Sequence, residues 1–180
     1  MSEPDPRPAR LLVEYLPMLE RTLQGEGVLD LACGSGRNGI FLVRHNIPVI
    51  FADINSAVLE RISGRLADSA CGTSYWQVDF ERPGCRPLAD KEFDAIMVFN
   101  YLHRPLIPAI RNSVRPGGLL LYETFTSRQA TLGKPSNPDY LLQSGELHDL
   151  FKDWDILHYF EGTDSEPQRY YANLVARKPM

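Results

Sequence analysis

Positive charge is in short supply in this chain. Its 180 residues hold 19 Lys and Arg against 23 Asp and Glu, a formal net charge of −4. Binding nucleic acid takes clustered cations to neutralise phosphates, and no run of Lys and Arg is present. Nucleic acid is therefore not an expected partner. Long apolar runs are missing too. None reaches the roughly 18 residues of a membrane span, so no membrane partner is expected. The opening MSEPDPRPAR is polar and proline-rich, unlike a signal or transit peptide. Cysteine is sparse: Cys33, Cys71 and Cys85 form an odd set without metal-ligand spacing. That predicts free thiols, no bound metal and a reducing, cytoplasmic setting. The length suits one α/β domain and is short for two.

What is present is periodic. Residues 1–8 read as a loose arm and residues 9–180 as one domain. Leu11, Leu12, Tyr15, Leu16 and Leu19 recur at helical spacing, so a helix is expected over 9–23, kinked at Pro17. Strands are expected at 28–32, 48–53, 74–79, 93–99 and 119–125, the last entered by the turn Arg115-Pro116-Gly117-Gly118. Helices are expected at 37–45, 56–69 (capped by Ser56), 107–114 and 144–151. Residues 80–91 and 126–140 read as loops. A loop as long as the second is commonly functional or mobile, and its Arg128 and Lys134 suit a lid that meets a negatively charged or polarisable acceptor, or, taken singly, solvated loop charge. Two late strands, 154–162 and 169–178, flank GTDSEP and pair as a hairpin. Strands alternating with helices give a doubly wound, mostly parallel sheet with helices on both faces. The hairpin brings the sheet to seven strands, one of them antiparallel.

The stretch from Gly27 to Asp53, GVLDLACGSGRNGIFLVRHNIPVIFAD, is one β–α–β unit with an acid at the tip of each strand. Such a unit takes an adenosine-containing cofactor at the carboxyl ends of the strands. Gly34, Gly36 and Gly39 fit G-x-G-x-x-G, which by itself also suits a nicotinamide dinucleotide and an oxidoreductase. Asp30 argues otherwise. A carboxylate four residues before Gly34 repels a pyrophosphate and attracts a cation, such as the ammonium of a methionine moiety. Asp30 can equally cap the glycine turn. Asp53 suits a ribose, since its two oxygens can accept from both hydroxyls; the alternative is a solvated turn or helix cap.

Together these residues resemble the class I S-adenosylmethionine-dependent methyltransferases, whose fold is Rossmann-like. The likeness rests on LDLACGSG (29–36), Asp53 in FADI, Asp79 in QVDF, the RPGG turn and the closing hairpin. It covers residues 10–178. Within that class the size and the tail are similar to the small tellurite-resistance-type methyltransferases. The resemblance implies S-adenosyl-L-methionine as cofactor, held by Asp30, Ala32, Gly34, Gly36, Asn38, Asp53, Ile54, Asp79, Phe80 and Asn100. In that set Asp79 accepts from the adenine amino group, with Phe80 beside the ring and Ile54 on its face. Each has a plainer reading as strand-end cap, turn or core.

Donor and acceptor should meet after the fourth strand, where Asn100, Tyr101, His103 and Arg104 cluster. His103 and Tyr101 are the candidate catalytic residues, His103 as a general base or as a helix cap. Arg104 can pair with an acidic acceptor or with a surface carboxylate. Alternation puts Tyr122 or Thr124 inward and Glu123 at the sheet edge. After the fourth strand the chain reads FNYLH, without an Asn-Pro-Pro-Tyr-like element, which disfavours an exocyclic base amine as acceptor. The expected partner is a small molecule, and the closer resemblance implies a thiol or chalcogen oxyanion. A protein that binds the cofactor without catalysis has the same glycine loop.

Overall fold

The computed structural model describes residues 7–67, 72–165 and 168–180. Most of the expected arm at 1–8, Cys71, the end of the helix expected over 56–69 and the tip of the hairpin lie outside the described residues.

Seven strands form one sheet in the order β3-β2-β1-β4-β5-β7-β6. The strands are β1 (Val28–Leu31), β2 (Val49–Asp53), β3 (Ser74–Gln77), β4 (Phe93–Phe99), β5 (Val114–Phe125), β6 (Asp155–Ser165) and β7 (Gln168–Arg177). β1 to β5 pair in parallel, and β7 runs antiparallel between β5 and β6. The helices are α1 (Arg10–Thr22), α2 (Arg37–Arg44), α3 (Ser56–Arg65), α4 (Ile107–Ser113) and α5 (Glu146–Leu150). The doubly wound sheet with its antiparallel hairpin strand is as the periodicity predicts.

β4 is buried along its whole length, and from Ala95 to Phe99 its residues alternate between two cores. Ala95, Met97 and Phe99 join Leu12 and Leu19 of α1 and Ile40 and Val43 of α2 on one face. Ile96 and Val98 join Leu106, Ile110, Tyr122 and Phe151 on the other. A strand covered on both faces has no polar alternation to show, which is why FDAIMVF is apolar at every position but Asp94.

Several boundaries differ from expectation. β3 ends at Gln77, before Asp79. The cap of α3 is Asn55, whose side chain accepts from Ala57 N at 3.1 Å, rather than Ser56. β5 already begins at Val114, because Val114 pairs with Phe93 across an irregularity and Gly117 and Gly118 bond Lys178. Residues 163–165, expected as turn, are strand: Asp164 stands opposite Arg169 and pairs with it at 2.9 Å. The 126–140 segment is not a free loop. It holds two 3-10 turns, Ser127–Thr131 and Pro138–Tyr140, and a bridge between Thr126 and Leu142.

Candidate active site

The carboxyl ends of β1, β2, β3 and β4 carry the residues singled out above. The glycine loop after β1 follows a left-handed path: Ala32, Gly34 and Gly36 have φ of 53°, 53° and 73°. Gly34 opens onto free space, with nothing within 4 Å of where a Cβ would stand. Gly36 is the reverse case. A Cβ there would meet Ile62 Cδ1 at 2.5 Å, so glycine lets α3 pack beneath the loop.

Two acids lock this loop. Asp53 Oδ2 accepts from Gly34 N at 2.9 Å and its Oδ1 from Asn55 N at 2.9 Å. A carboxylate has about four lone-pair positions, so each oxygen keeps one for a further donor. Asp30 is only 2% exposed, and its Oδ2 accepts from Gly39 N at 3.0 Å, at the start of α2. Burial pushes its pKa up to about 8, against the opposing pull of the Gly39 N–H and Arg37; Asp53 adds to the rise. Cys33 lies between these acids. Burial and then the charges of Asp30 and Asp53 push its thiol far up, which leaves it inert as a nucleophile.

The other expected cofactor contacts fall into two groups. Ile54 is 61% exposed at the end of β2, a large apolar side chain left to solvent beside Asp53. Asp79 is half-buried, with Oδ1 accepting from Glu81 N at 2.9 Å. Asn100 is exposed in the left-handed region, φ 57°, its N–H held by Glu123 O at 2.8 Å. Phe80 and Asn38 are more enclosed. Phe80 packs edge-on against Trp76, with centroids 5.7 Å apart. Asn38 is 4% exposed and its Oδ1 accepts from Ala9 N at 2.8 Å, tying the start of α1 to the glycine-loop helix.

After β4, the Tyr101 hydroxyl is buried beside Glu81, without a hydrogen bond of good geometry. Burial, then the Glu81 charge, pushes its pKa far up, so it stays a neutral phenol. Tyr122 is fully buried and donates to Tyr101 O at 3.0 Å, which fixes the turn. His103 is half-buried, with Nδ1 3.9 Å from Glu81 Oε2. It precedes a 3-10 turn without capping it through its side chain.

Arg104 is committed within the protein. It grips Glu146 with Nε to Oε1 at 2.6 Å and Nη2 to Oε2 at 2.8 Å, and also donates to the carbonyls of Asp139 and Leu141. Glu123 is not at an edge. It is 3% exposed and joined to Arg169 at 2.8 Å and to Asn173 at 3.1 Å. Both Tyr122 and Thr124 are buried. Alternation along one strand could not reveal these partners, because they lie on α5 and β7, 42 and 46 residues away in sequence. Sequence reading also missed a cleft of about 830 Å³ between residues 80–91 and α4, with His103 on its wall. No His, Cys, Asp and Glu grouping suited to a metal occurs among the described residues.

A glycine loop on β1, an acid at the tip of β2 and a β7 inserted antiparallel beside β5 define the class I methyltransferase architecture. The comparisons agree. Residues 28–118 match the methyltransferase domain family, and the chain belongs to that family. Over 166 residues it is 25% identical to a probable S-adenosyl-L-methionine-dependent methyltransferase, TehB, of Haemophilus influenzae, covering 84% of this chain and 57% of that protein. It is 26% identical over 166 residues to Hemagglutinin 1 of Eikenella corrodens, covering 84% and 54%. The chain thus spans a little over half the length of these curated relatives. The crystal structure of H. influenzae TehB superposes with a TM-score of 0.68 at 23% identity, over 84% of this chain and 57% of that one. Magnesium protoporphyrin IX methyltransferase from Synechocystis, with S-adenosylhomocysteine bound, gives 0.69 at 14% identity, over 93% and 80%. These likenesses show the same fold. The cofactor of the family is S-adenosylmethionine, and the open backbone at Gly34 and the spare lone pairs of Asp53 fit it.

Proposed function

We propose that this chain transfers the methyl group of S-adenosylmethionine to a small-molecule acceptor with a soft nucleophile, a thiol or chalcogen oxyanion. The observation that carries the cofactor assignment is the Asp53–Gly34 clasp. The strand-2 acid holds the loop and keeps an unused lone pair on each oxygen for the two ribose hydroxyls. Asp30 serves the methionine ammonium from beneath the loop. Ala32, Gly34 and Gly36 supply backbone free of side-chain obstruction. Asp79 accepts from the adenine amine, while Ile54 and Phe80 flank the ring. Asn38 and Asn100 act at the border of the site, Asn38 by fixing α1 against α2. The acceptor class is supported by the likeness to TehB.

The bound cofactor supplies an already activated methyl group on a sulfonium. The chain's work is then alignment and exclusion of water rather than activation of a nucleophile of its own. His103 takes the proton from an acceptor that arrives protonated, and Glu81 stands close enough to stabilise the resulting imidazolium. The buried Tyr101 hydroxyl donates to the reacting centre or to the cofactor beside it.

Asp53→Ala tests the cofactor assignment. It removes two charge-assisted acceptors worth about 1.5–3 kcal/mol each at best, and S-adenosylmethionine affinity is expected to fall at least about ten-fold. Wild-type affinity in a folded Asp53→Ala protein contradicts the ribose role.

A further inference from the structure

The cleft between residues 80–91 and α4 has no role in the account so far, and its chemistry is specific. Leu88, Pro105, Leu106, Pro108 and Ala109 give its walls an apolar stretch, beside the polar Asn112 and Ser113. Arg82 and Arg86 line the mouth, both exposed and neither guanidinium in a hydrogen bond or ion pair among the described residues. The other charged groups on the wall are Lys91, Glu81 and Asp90. Lys91 is drawn aside, its Nζ lying 4.8 Å over the Trp76 ring. Glu81 faces His103 at 3.9 Å. Neither contact removes a charge, so the lining sets Arg82, Arg86 and Lys91 against Glu81 and Asp90, a formal balance of +1 with His103 neutral. In a chain of net charge −4 this is a local excess of positive charge.

The volume separates two kinds of occupant. About 830 Å³ lies in the range of clefts that take ligands of drug size and is far more than a bare oxyanion fills. A partly apolar wall with guanidiniums at the mouth suits an apolar body carrying an acidic group. The cleft also borders the proposed reaction centre, since Phe80, Glu81 and His103, the last two 3.9 Å apart, all line it.

We infer that this cleft is the acceptor site, and that the acceptor is an amphipathic organic anion, its acidic group on Arg82 and Arg86 and its nucleophile toward His103. This rests on the methyltransferase reading above. It narrows the acceptor to a nucleophile carried on an organic acid and disfavours a free oxyanion.

The test is titration with 8-anilinonaphthalene-1-sulfonate, an amphipathic organic anion, followed by fluorescence, alongside its neutral counterpart N-phenyl-1-naphthylamine. The full chain should bind the sulfonate at one saturable site and the neutral amine more weakly. In the Arg82→Ala/Arg86→Ala protein the sulfonate should bind about ten-fold or more weakly. Asn112→Trp, an exposed change on the cleft wall, should block both probes. Undiminished sulfonate binding in either variant, or equal binding of the two probes, overturns the proposal. S-adenosylhomocysteine is titrated in parallel. Its binding should be the same in wild type and variants. If wild type fails to bind it, the methyltransferase reading falls, while the probe arms still decide whether the cleft takes an organic anion.

Discussion

Asp30 is the residue whose setting departs most from that of a solvated acid. Buried, with one oxygen on the Gly39 N–H, its carboxyl has a pKa of about 8 in the fold against 3.8 in an ordinary setting. The folded protein therefore holds this proton more tightly than the unfolded chain does. The associated stability is complete below pH 3.8 and is lost as pH rises toward and through about 8. Asp30→Asn keeps an oxygen for Gly39 and cannot ionise. Thermal melts of the ligand-free protein from pH 5 to 8 should show wild type losing stability relative to the Asn variant as pH rises. Parallel curves would contradict the raised pKa. The same logic ties Asp30 to its proposed ligand. A cationic ammonium beside it favours the ionised form, so the cofactor's arrival should release a proton that the Asn variant does not release.

At the scale of elements, the interesting one is the segment from Thr126 to Gly145. Over residues 126–140 the composition, with Gly133, Pro135 and Pro138, reads as a loop, and Arg128 and Lys134 read as a lid or as solvated charge. Tertiary contacts override that reading at both ends. Gln129 is 7% exposed and accepts from Tyr170 N at 2.9 Å. Leu141 and Leu142 are buried, and Glu161 holds Ser144 and Gly145 at 2.8 Å. Arg104 then fastens residues 139–141 to α5. Leu132 and Tyr140, 41% and 49% exposed, are the natural sites for chymotrypsin. Arg104→Ala removes the four bonds of the guanidinium and should speed cleavage at Tyr140 about ten-fold, since about 1.4 kcal/mol of lost restraint gives that factor. Unchanged cleavage would mean that Leu141 and Leu142 hold the segment alone.

The contrast shows what the sequence made legible. Largely apolar runs such as FDAIMVF and the acid-tipped strands announce their elements, because burial on both faces and a turn to the ligand leave local marks. Asp30, Gly34, Gly36 and Asp53 are brought together where they were expected, being neighbours through one β–α–β unit. Arg104–Glu146 and Glu123–Arg169 leave no such mark. They join residues far apart in sequence, and a lone Arg reads the same whether it faces a substrate or a carboxylate of its own chain. The cleft was illegible for a related reason: it is bounded by residues 80–91, whose proline-rich sequence shows only that no regular element forms there.

For the whole molecule, the site depends on two cores closed by one buried clip. Asp94, fully enclosed at the start of β4, accepts from Gly25 N and Gly27 N at 3.0 Å each and from Arg115 Nε at 2.6 Å. Arg115 also donates to the Thr22 carbonyl at the end of α1. Burial alone would raise the Asp94 pKa; Arg115 and the backbone N–H groups outweigh it and hold the carboxyl ionised. The RPGG motif, which reads as a plain turn, is thus the knot that joins α1, β1, β4 and β5 at the end of the sheet opposite the site. A buried pair left with one partner is strongly destabilising, which explains why the clip satisfies both of its ions with backbone as well as with each other. With that end fixed, the carboxyl ends of β1, β2 and β4 present Gly34, Asp53 and Tyr101 on a rigid frame.

The central claim is that this frame takes S-adenosylmethionine, and calorimetric titration of the purified chain tests it most directly. S-adenosylmethionine, S-adenosylhomocysteine and NAD are titrated in parallel at neutral pH. The account predicts saturable binding of the two sulfur ligands at one common site and no heat from NAD. Binding of NAD with both sulfur ligands silent would contradict it, and Asp30 would then have to be reread as a cap beneath a dinucleotide loop.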